Sequence, residues 1–147
     1  MTHKYSVEKI LIVSGLLRRV KNWSGHIYFD SSMQWKELEK PFPEMWETIV
    51  KETKQNQEEV QYDQLTLELN MEEIRNNRKP IGYLKDGAKY KMVFPMDRKE
   101  IIIFRGILSE DIKEVTESIA KILKNKKVKT TVDYDRMLLY EIKKRKK

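Results

Sequence analysis

The fold class is decided by the stretch from residue 100 to residue 134, which reads EIIIFRGILSEDIKEVTESIAKILKNKKVKTTVDY. Its first six residues hold four consecutive apolar side chains between charged ends, which predicts a central strand covered on both faces. Ser109 then predicts a helix start, because serine is a preferred N-cap residue and two acidic residues follow it. The helix has one apolar stripe, which consists of Ile112, Val115, Ile119 and Ile122.

The residues after this helix predict a terminal hairpin. Its strands are residues 128–134 and 137–143, and Asp135-Arg136 forms the turn between them. Strand, helix, strand and strand therefore follow one another over residues 100–143. This order is typical of an α+β fold with an antiparallel sheet.

The beginning of the chain predicts one strand with a second short element after it. Residues 9–20 favour a strand because they are β-rich, although their apolar residues also fit a helical stripe. Ser24-Gly25 predicts a turn, after which residues 26–29 form a short strand or a loop.

The middle of the chain predicts two helices and two strands. Proline in the first turn and apolar residues at helical spacing predict a helix over residues 42–50. Alternating leucines predict a half-buried strand over residues 61–70, and Asn70 then caps a short helix that ends before Pro80. A further strand is predicted where aromatic and apolar residues alternate over residues 90–94.

These elements together predict a single α+β domain over residues 1–147. We expect an antiparallel sheet, two main helices and two strand-helix-strand-strand repeats, which span residues 9–95 and 100–143. A basic tail, residues 143–147, follows the second repeat. A chain of 147 residues is long enough to bury a core of its own.

The composition indicates a folded protein and suits a reducing compartment. Three Trp, seven Tyr and four Phe are more aromatic residues than disordered chains carry. The absence of cysteine excludes disulfides, thiolate zinc sites and cysteine nucleophiles. The apolar run at residues 10–17 is too short to cross a bilayer, which needs about 20 apolar residues. We therefore expect a cytoplasmic protein that does not bind membranes.

No motif predicts catalysis, a metal or a cofactor. His3 and His26 lack matching ligands at metal-site spacing, so we interpret them as surface or loop histidines. The five glycines are scattered and form no phosphate-binding loop. Ser14 and Ser24 each precede a glycine, but neither lies in a nucleophile-elbow pattern.

The aromatic residues have two interpretations. Aromatic side chains dominate protein cores by area, so their spread over nearly every element fits core packing. They also fit an aromatic-lined pocket, since ligand sites are mostly apolar with a few polar groups. The candidate ligand-binding residues are Trp35, Trp46, Tyr83 and Tyr90.

The net charge of +7 is concentrated at the end of the chain. Residues 121–147 hold 11 basic and three acidic residues. These basic residues are either a solubilising terminus or a contact surface for nucleic-acid phosphates. The candidate phosphate contacts are Lys124, Lys126, Lys127, Lys129, Lys143, Lys144, Arg145, Lys146 and Lys147.

The order of elements resembles the GyrI-like fold, the effector-binding domain of bacterial multidrug-responsive activators. Residues 89–96 (KYKMVFPM) are similar to the strand that closes the first repeat of that family, with its apolar-Pro-apolar ending. Residues 101–106 (IIIFRG), with the helix after them, are similar to the opening of its second repeat. The resemblance implies two half-sheets around a cleft in a binding module that stands alone.

Two departures limit what the resemblance implies. The chain lacks the helix-turn-helix that precedes this domain in the activators. No acidic residue matches the buried one that cation-binding members use, so no functional residue is carried over.

The leading hypothesis is a non-enzymatic binding module with a cleft for an apolar or aromatic small molecule, or for a protein segment. One alternative is a nucleic-acid-associated accessory protein that uses the basic hairpin and tail. Another is a small interaction protein or inhibitor from a mobile element. The sequence leaves the oligomeric state open.

Overall fold

The computed structural model describes residues 21–51 and 57–135. The helices are α1 (Phe42–Val50), α2 (Gln57–Arg75) and α3 (Asp111–Asn125), and a 3-10 turn spans Trp35–Leu38. The strands are β1 (Asn22–Phe29), β2 (Lys91–Val93), β3 (Glu100–Ser109) and β4 (Thr130–Tyr134). The predicted strands at residues 9–20 and 137–143, and the basic tail, lie outside the described residues.

The strands form one antiparallel sheet in the order β2-β3-β1-β4. The described elements follow the β-α-β-β-α-β order of the split βαβ, or ferredoxin-like, topology. In this order α1 and α2 together take the first helical position, and α3 takes the second. The predicted α+β class with an antiparallel sheet is confirmed, with three described α-helices where two main helices were expected.

The core lies between the helices and one face of the sheet. Ile27 of β1 and Ile101 and Ile103 of β3 belong to a single apolar cluster with residues of all three helices. The apolar stripe predicted for α3 is buried in this cluster, as is the inner face of α1. Both helices were predicted because their sequences carry one apolar stripe at helical spacing.

The central strand predicted at residues 100–105 is confirmed as part of β3, which lies between β2 and β1. Alternation directs Glu100 and Ile102 to the face of the sheet opposite the core cluster. Both side chains are buried there, so the beginning of β3 is covered on both faces, whereas residues 106–108 are exposed.

The strand predicted at residues 61–70 is wrong, because these residues lie inside the 19-residue helix α2. The inward positions of α2 are Asp63, Leu67, Asn70, Met71 and Ile74, which follow a helical spacing. Two of these five inward residues are polar, whereas two of the alternating leucines are exposed. The apolar pattern of the sequence therefore does not mark the buried face of this helix. Asn70 accordingly lies within α2 rather than at a helix start.

The turn predicted at Ser24-Gly25 is also wrong, because both residues lie inside β1. Residues 26–29 were expected to form a short strand or a loop, and they lie in a strand. A Cβ atom on Gly25 would lie 1.9 Å from Oγ1 of Thr116 in α3. Glycine at this position therefore allows β1 and α3 to pack closely, and it does not form a turn.

Candidate functional site

A groove lies between α2 and the segment of residues 81–86 that precedes β2. Its volume is about 420 Å³, and Tyr62 and Thr66 line it on the helix side. Residues 81–86 line the opposite side. We call this feature the α2 groove.

The side chain of Asn70 fixes the two walls of the α2 groove to each other. Its amide nitrogen donates to the Gly82 carbonyl (3.2 Å), and its Oδ1 accepts from the Gly82 N–H (2.8 Å). Gly82 has a φ of +95°, and a Cβ there would lie 2.4 Å from the Met92 carbonyl oxygen. The backbone can thus approach both α2 and β2 only because residue 82 is glycine.

A polar cluster lies behind Tyr83 and Lys85, two residues that line the α2 groove. The Tyr83 hydroxyl donates to Oδ2 of Asp63 over 3.0 Å, and both residues are buried. Nζ of Lys85 lies 3.0 Å from Oε2 of Glu59 and 3.6 Å from Oδ1 of Asp63. The cluster holds two carboxylates and one ammonium group, so its acidic side chains outnumber its cation.

The rim of the α2 groove exposes large apolar side chains. Tyr62, Leu65 and Leu69 lie on the outer side of α2, with exposed fractions of 57%, 60% and 45%. Ile81 and Leu84 are exposed on the opposite wall. An exposed apolar row of this kind is typical of an interaction site.

The four aromatic residues predicted to bind a ligand occupy different places. Trp46 and Tyr83 are in edge contact at 4.9 Å, beneath the α2 groove, where both side chains are buried. Trp35 lies between Phe29 and Phe94, at 6.0 Å from each ring. Tyr90 is buried apart from them. Of the four, Tyr83 alone lines the α2 groove.

Tyr90 belongs to the core cluster, and two basic side chains lie beside its ring. Lys89 and Arg105 lie 5.4 Å and 5.8 Å from the centre of its ring. The Nη1 atom of Arg105 lies 3.3 Å from a carboxylate oxygen of Asp111, the first residue of α3. Burial alone would raise the pKa of Asp111, but hydrogen bonds from Ser109 and Tyr90 and the Arg105 charge lower this pKa to about 2.

The lysines proposed to contact phosphates are partly within the described residues. Lys124, Lys126, Lys127 and Lys129 are exposed at the end of α3 and in the connection to β4, and Lys121 is exposed one turn earlier. Within residues 21–51 and 57–135, none of the five forms a salt bridge. The remaining candidates, Lys143, Lys144, Arg145, Lys146 and Lys147, lie outside the described residues.

Ser24, His26 and Glu100 form a hydrogen-bonded row that the sequence did not reveal. Oγ of Ser24 lies 2.8 Å from Nε2 of His26, and Nδ1 of His26 lies 2.6 Å from Oε2 of Glu100. All three side chains are buried, so the interpretation of His26 as a surface or loop histidine is wrong. The connectivity matches that of a Ser-His-acid triad. However, Ser24 has no exposed surface and offers no approach to a substrate.

The described residues contain no group of three or more His, Cys, Asp or Glu side chains placed to hold a metal ion. In the same part of the chain, every helix is too short or too polar to cross a membrane.

No family model, curated protein or solved structure matches this chain. The resemblance to the GyrI-like fold therefore stays a prediction.

Sequence reasoning identified one wall of the α2 groove but missed the other. Tyr83 is a candidate from the sequence because it is an aromatic residue that borders a predicted turn. The helix wall was missed because the leucines at 65, 67 and 69 fit a period of two. A signal was nevertheless available, since Tyr62, Leu65 and Leu69 also follow the i, i+3, i+7 spacing of a helix face.

Proposed function

We propose that this protein is a binding module that holds an apolar segment of another protein in the α2 groove. The observation that carries the proposal is the exposed apolar row of Tyr62, Leu65 and Leu69 beside a groove of about 420 Å³. An amphipathic helix that docks in a groove is recognised through residues at this same spacing.

The shape of the α2 groove favours a protein segment over a small molecule. Sites for small molecules bury most of the ligand surface. Here Ile81, Leu84 and Tyr62 project from the rim, and each is more than half exposed. A helix laid along α2 would cover these side chains, whereas a compound within the groove would leave Leu65 and Leu69 in water.

The test uses a fluorescent, uncharged amphipathic peptide of about 15 residues, with leucines at helical spacing, as the probe. We expect a rise in fluorescence anisotropy with the wild-type protein. The double variant Leu65→Glu/Leu69→Glu should bind at least about ten-fold more weakly, because it places charges in the apolar contact.

Met96→Glu is the matched control, because it makes the same kind of change at an apolar residue that is 94% exposed elsewhere. Its affinity should equal that of the wild type. The proposal fails if the wild type shows no binding at about 1 mM peptide. It also fails if Leu65→Glu/Leu69→Glu binds as the wild type does.

We propose binding to nucleic-acid phosphates as a second candidate function, which the exposed lysines at the end of α3 favour. From residue 118 to residue 132 the chain carries five lysines and no acidic residue. Affinity for labelled DNA should fall steeply between about 50 and about 200 mM salt. Replacing Lys121, Lys124, Lys126 and Lys127 with glutamine should abolish DNA binding. If the wild type does not bind DNA at low salt, this second function is excluded.

A further inference from the structure

We infer that the segment held by the α2 groove is a basic amphipathic helix of another protein, an inference that rests on the proposed function. The reason is the charge of the element that carries the apolar row. Helix α2 holds six acidic residues and one basic residue, although the whole chain has a net charge of +7. The exposed apolar row therefore lies on an acidic element of a basic protein.

Two of these carboxylates lie at the ends of the apolar row. Glu58 precedes Tyr62 by about one helical turn, and Glu72 follows Leu69 by about one turn. Both side chains are exposed, and neither forms a salt bridge with any residue that the structure describes. Other acidic residues of α2 already have basic neighbours, because Glu68 and Glu73 lie near Arg75 and Arg78.

The spacing of the two carboxylates fits the dimensions of a helix. Glu58 and Glu72 are separated by about 21 Å along the axis of α2, at a rise of about 1.5 Å per residue. A partner helix of about four turns spans this distance, with its leucines on the row and a basic residue near each end. Both carboxylates then lie within about 8 Å of such a residue, where salt screening is incomplete.

The charge of the groove itself points the same way. Lys85 and Asp86 line the groove, and the carboxylates of Glu59 and Asp63 lie near the Lys85 ammonium group. An acidic partner would meet exposed carboxylates at both ends of the row and at Asp86. A basic partner would meet opposite charges at each of these positions, which is the arrangement that favours the right partner over others.

A second copy of this chain fits the site less well. Helix α3 carries basic residues, but its outward side is polar, and its apolar stripe is buried in the core. Helix α1 likewise buries its apolar face. Among the described helices, no second copy offers the combination of basic and exposed apolar residues that the α2 groove requires.

The test compares three labelled helical peptides that share the same leucines and differ in their polar residues, which are lysine, glutamine or glutamate. At about 50 mM salt we expect the lysine peptide to bind about five- to ten-fold more tightly than the glutamine peptide. The glutamate peptide should bind most weakly. The difference should shrink at about 200 mM salt, because the added contacts lie on the surface.

Two variants separate charge from apolar contact. Glu58→Lys/Glu72→Lys should remove the preference for the lysine peptide, so that the lysine peptide loses more affinity than the glutamine peptide does. Glu44→Lys/Glu47→Lys makes the same change in charge on exposed positions of α1 and should keep the preference.

The outcomes distinguish this inference from the proposed function. In one outcome, the lysine and glutamine peptides bind equally well to the wild type and fail to bind Leu65→Glu/Leu69→Glu. This result would contradict the inference of a basic partner and would support the proposed function. Failure of all three peptides overturns both. Binding of the lysine peptide that survives Leu65→Glu/Leu69→Glu also overturns the inference, since it shows attraction by charge alone. Sedimentation velocity tests for a second copy. A dimer of the wild type that is absent in Leu65→Glu/Leu69→Glu would overturn the inference, because a second copy would then occupy the groove.

Discussion

The Nδ1 atom of His26 lies 2.6 Å from the Oε2 atom of Glu100, where β1 pairs with β3 at the centre of the sheet. Both side chains are buried, and Ser24 extends the row on the other side of the imidazole. Nη1 of Arg98, which is largely exposed, lies 3.4 Å from the second oxygen of Glu100. A polar row in a sheet centre stabilises the fold only if its members keep their partners.

Removing either member of the His26–Glu100 pair should destabilise the protein. We expect Glu100→Ala to lower the free energy of unfolding by about 3 kcal/mol, because it leaves a buried imidazole without its hydrogen bond. His26→Ala should have a similar cost, and the double variant should cost less than the sum of the two. Chemical denaturation measures these values. Glu47→Ala on the exposed side of α1 is the control and should change stability by less than about 0.5 kcal/mol.

Ser24 should be chemically unreactive in the folded protein despite its triad-like neighbours. Acyl transfer needs a substrate carbonyl within reach of Oγ, and Ser24 has no exposed surface. We therefore expect no mass increase after incubation with a fluorophosphonate near neutral pH. Stoichiometric labelling of the wild type that disappears in Ser24→Ala would contradict this and would show that the row is a working nucleophilic site.

The elements that were predicted correctly from the sequence have sides towards the core cluster that are mainly apolar. Helices α1 and α3 each carry an apolar stripe at helical spacing, and β3 begins with a continuous apolar run. For these elements, burial and pattern agree. The local sequence was therefore enough to predict both their type and their inward side.

Helix α2 could not be predicted in this way, because its inward side is partly polar and its outward side partly apolar. Asp63 and Asn70 are stable inside since Tyr83 and Gly82 supply their hydrogen bonds. Tyr83 is 20 residues from Asp63 in sequence, and Gly82 is 12 residues from Asn70, so no local pattern predicts these hydrogen bonds. The exposed leucines belong to the proposed interaction surface, and such surfaces are where patterning fails.

The contact between β1 and α3 should be sensitive to a single methyl group. Gly25→Ala would place its Cβ 1.9 Å from Oγ1 and 2.8 Å from Cβ of Thr116. We expect a loss of about 3 kcal/mol in the free energy of unfolding, because sheet and helix must move apart. Oγ1 of Thr116 has no hydrogen-bond partner in the part of the chain that the structure describes.

A double-mutant cycle tests this cause. Thr116→Ala alone should be close to neutral, since it removes a buried hydroxyl that lacks a partner. In the Gly25→Ala background the same change should recover part of the lost stability, because it removes the nearest atom. Strictly additive effects in thermal and chemical unfolding would show that the two residues do not clash.

Asp111 should make the stability of the protein depend on pH in the acid range. Burial opposes its charge, but Ser109, Tyr90 and Arg105 outweigh that effect and lower its pKa from 3.8 to about 2. A carboxyl whose pKa is lower in the folded state binds protons more readily when unfolded. Its contribution to stability is therefore complete above about pH 4 and is lost as the pH falls towards 2.

The variant Asp111→Asn isolates this contribution. At neutral pH it should be less stable than the wild type, because it loses the Arg105 contact and the favourable charge at the start of α3. The difference in free energy of unfolding between the two proteins should disappear as the pH falls from about 4 to about 2, where the wild-type carboxyl becomes protonated. Urea denaturation of both proteins across this range measures this difference. Glu114→Gln, a neutralisation on the exposed side of the same helix, is the control for general acid effects. A difference that stays constant down to pH 2 would contradict the lowered pKa.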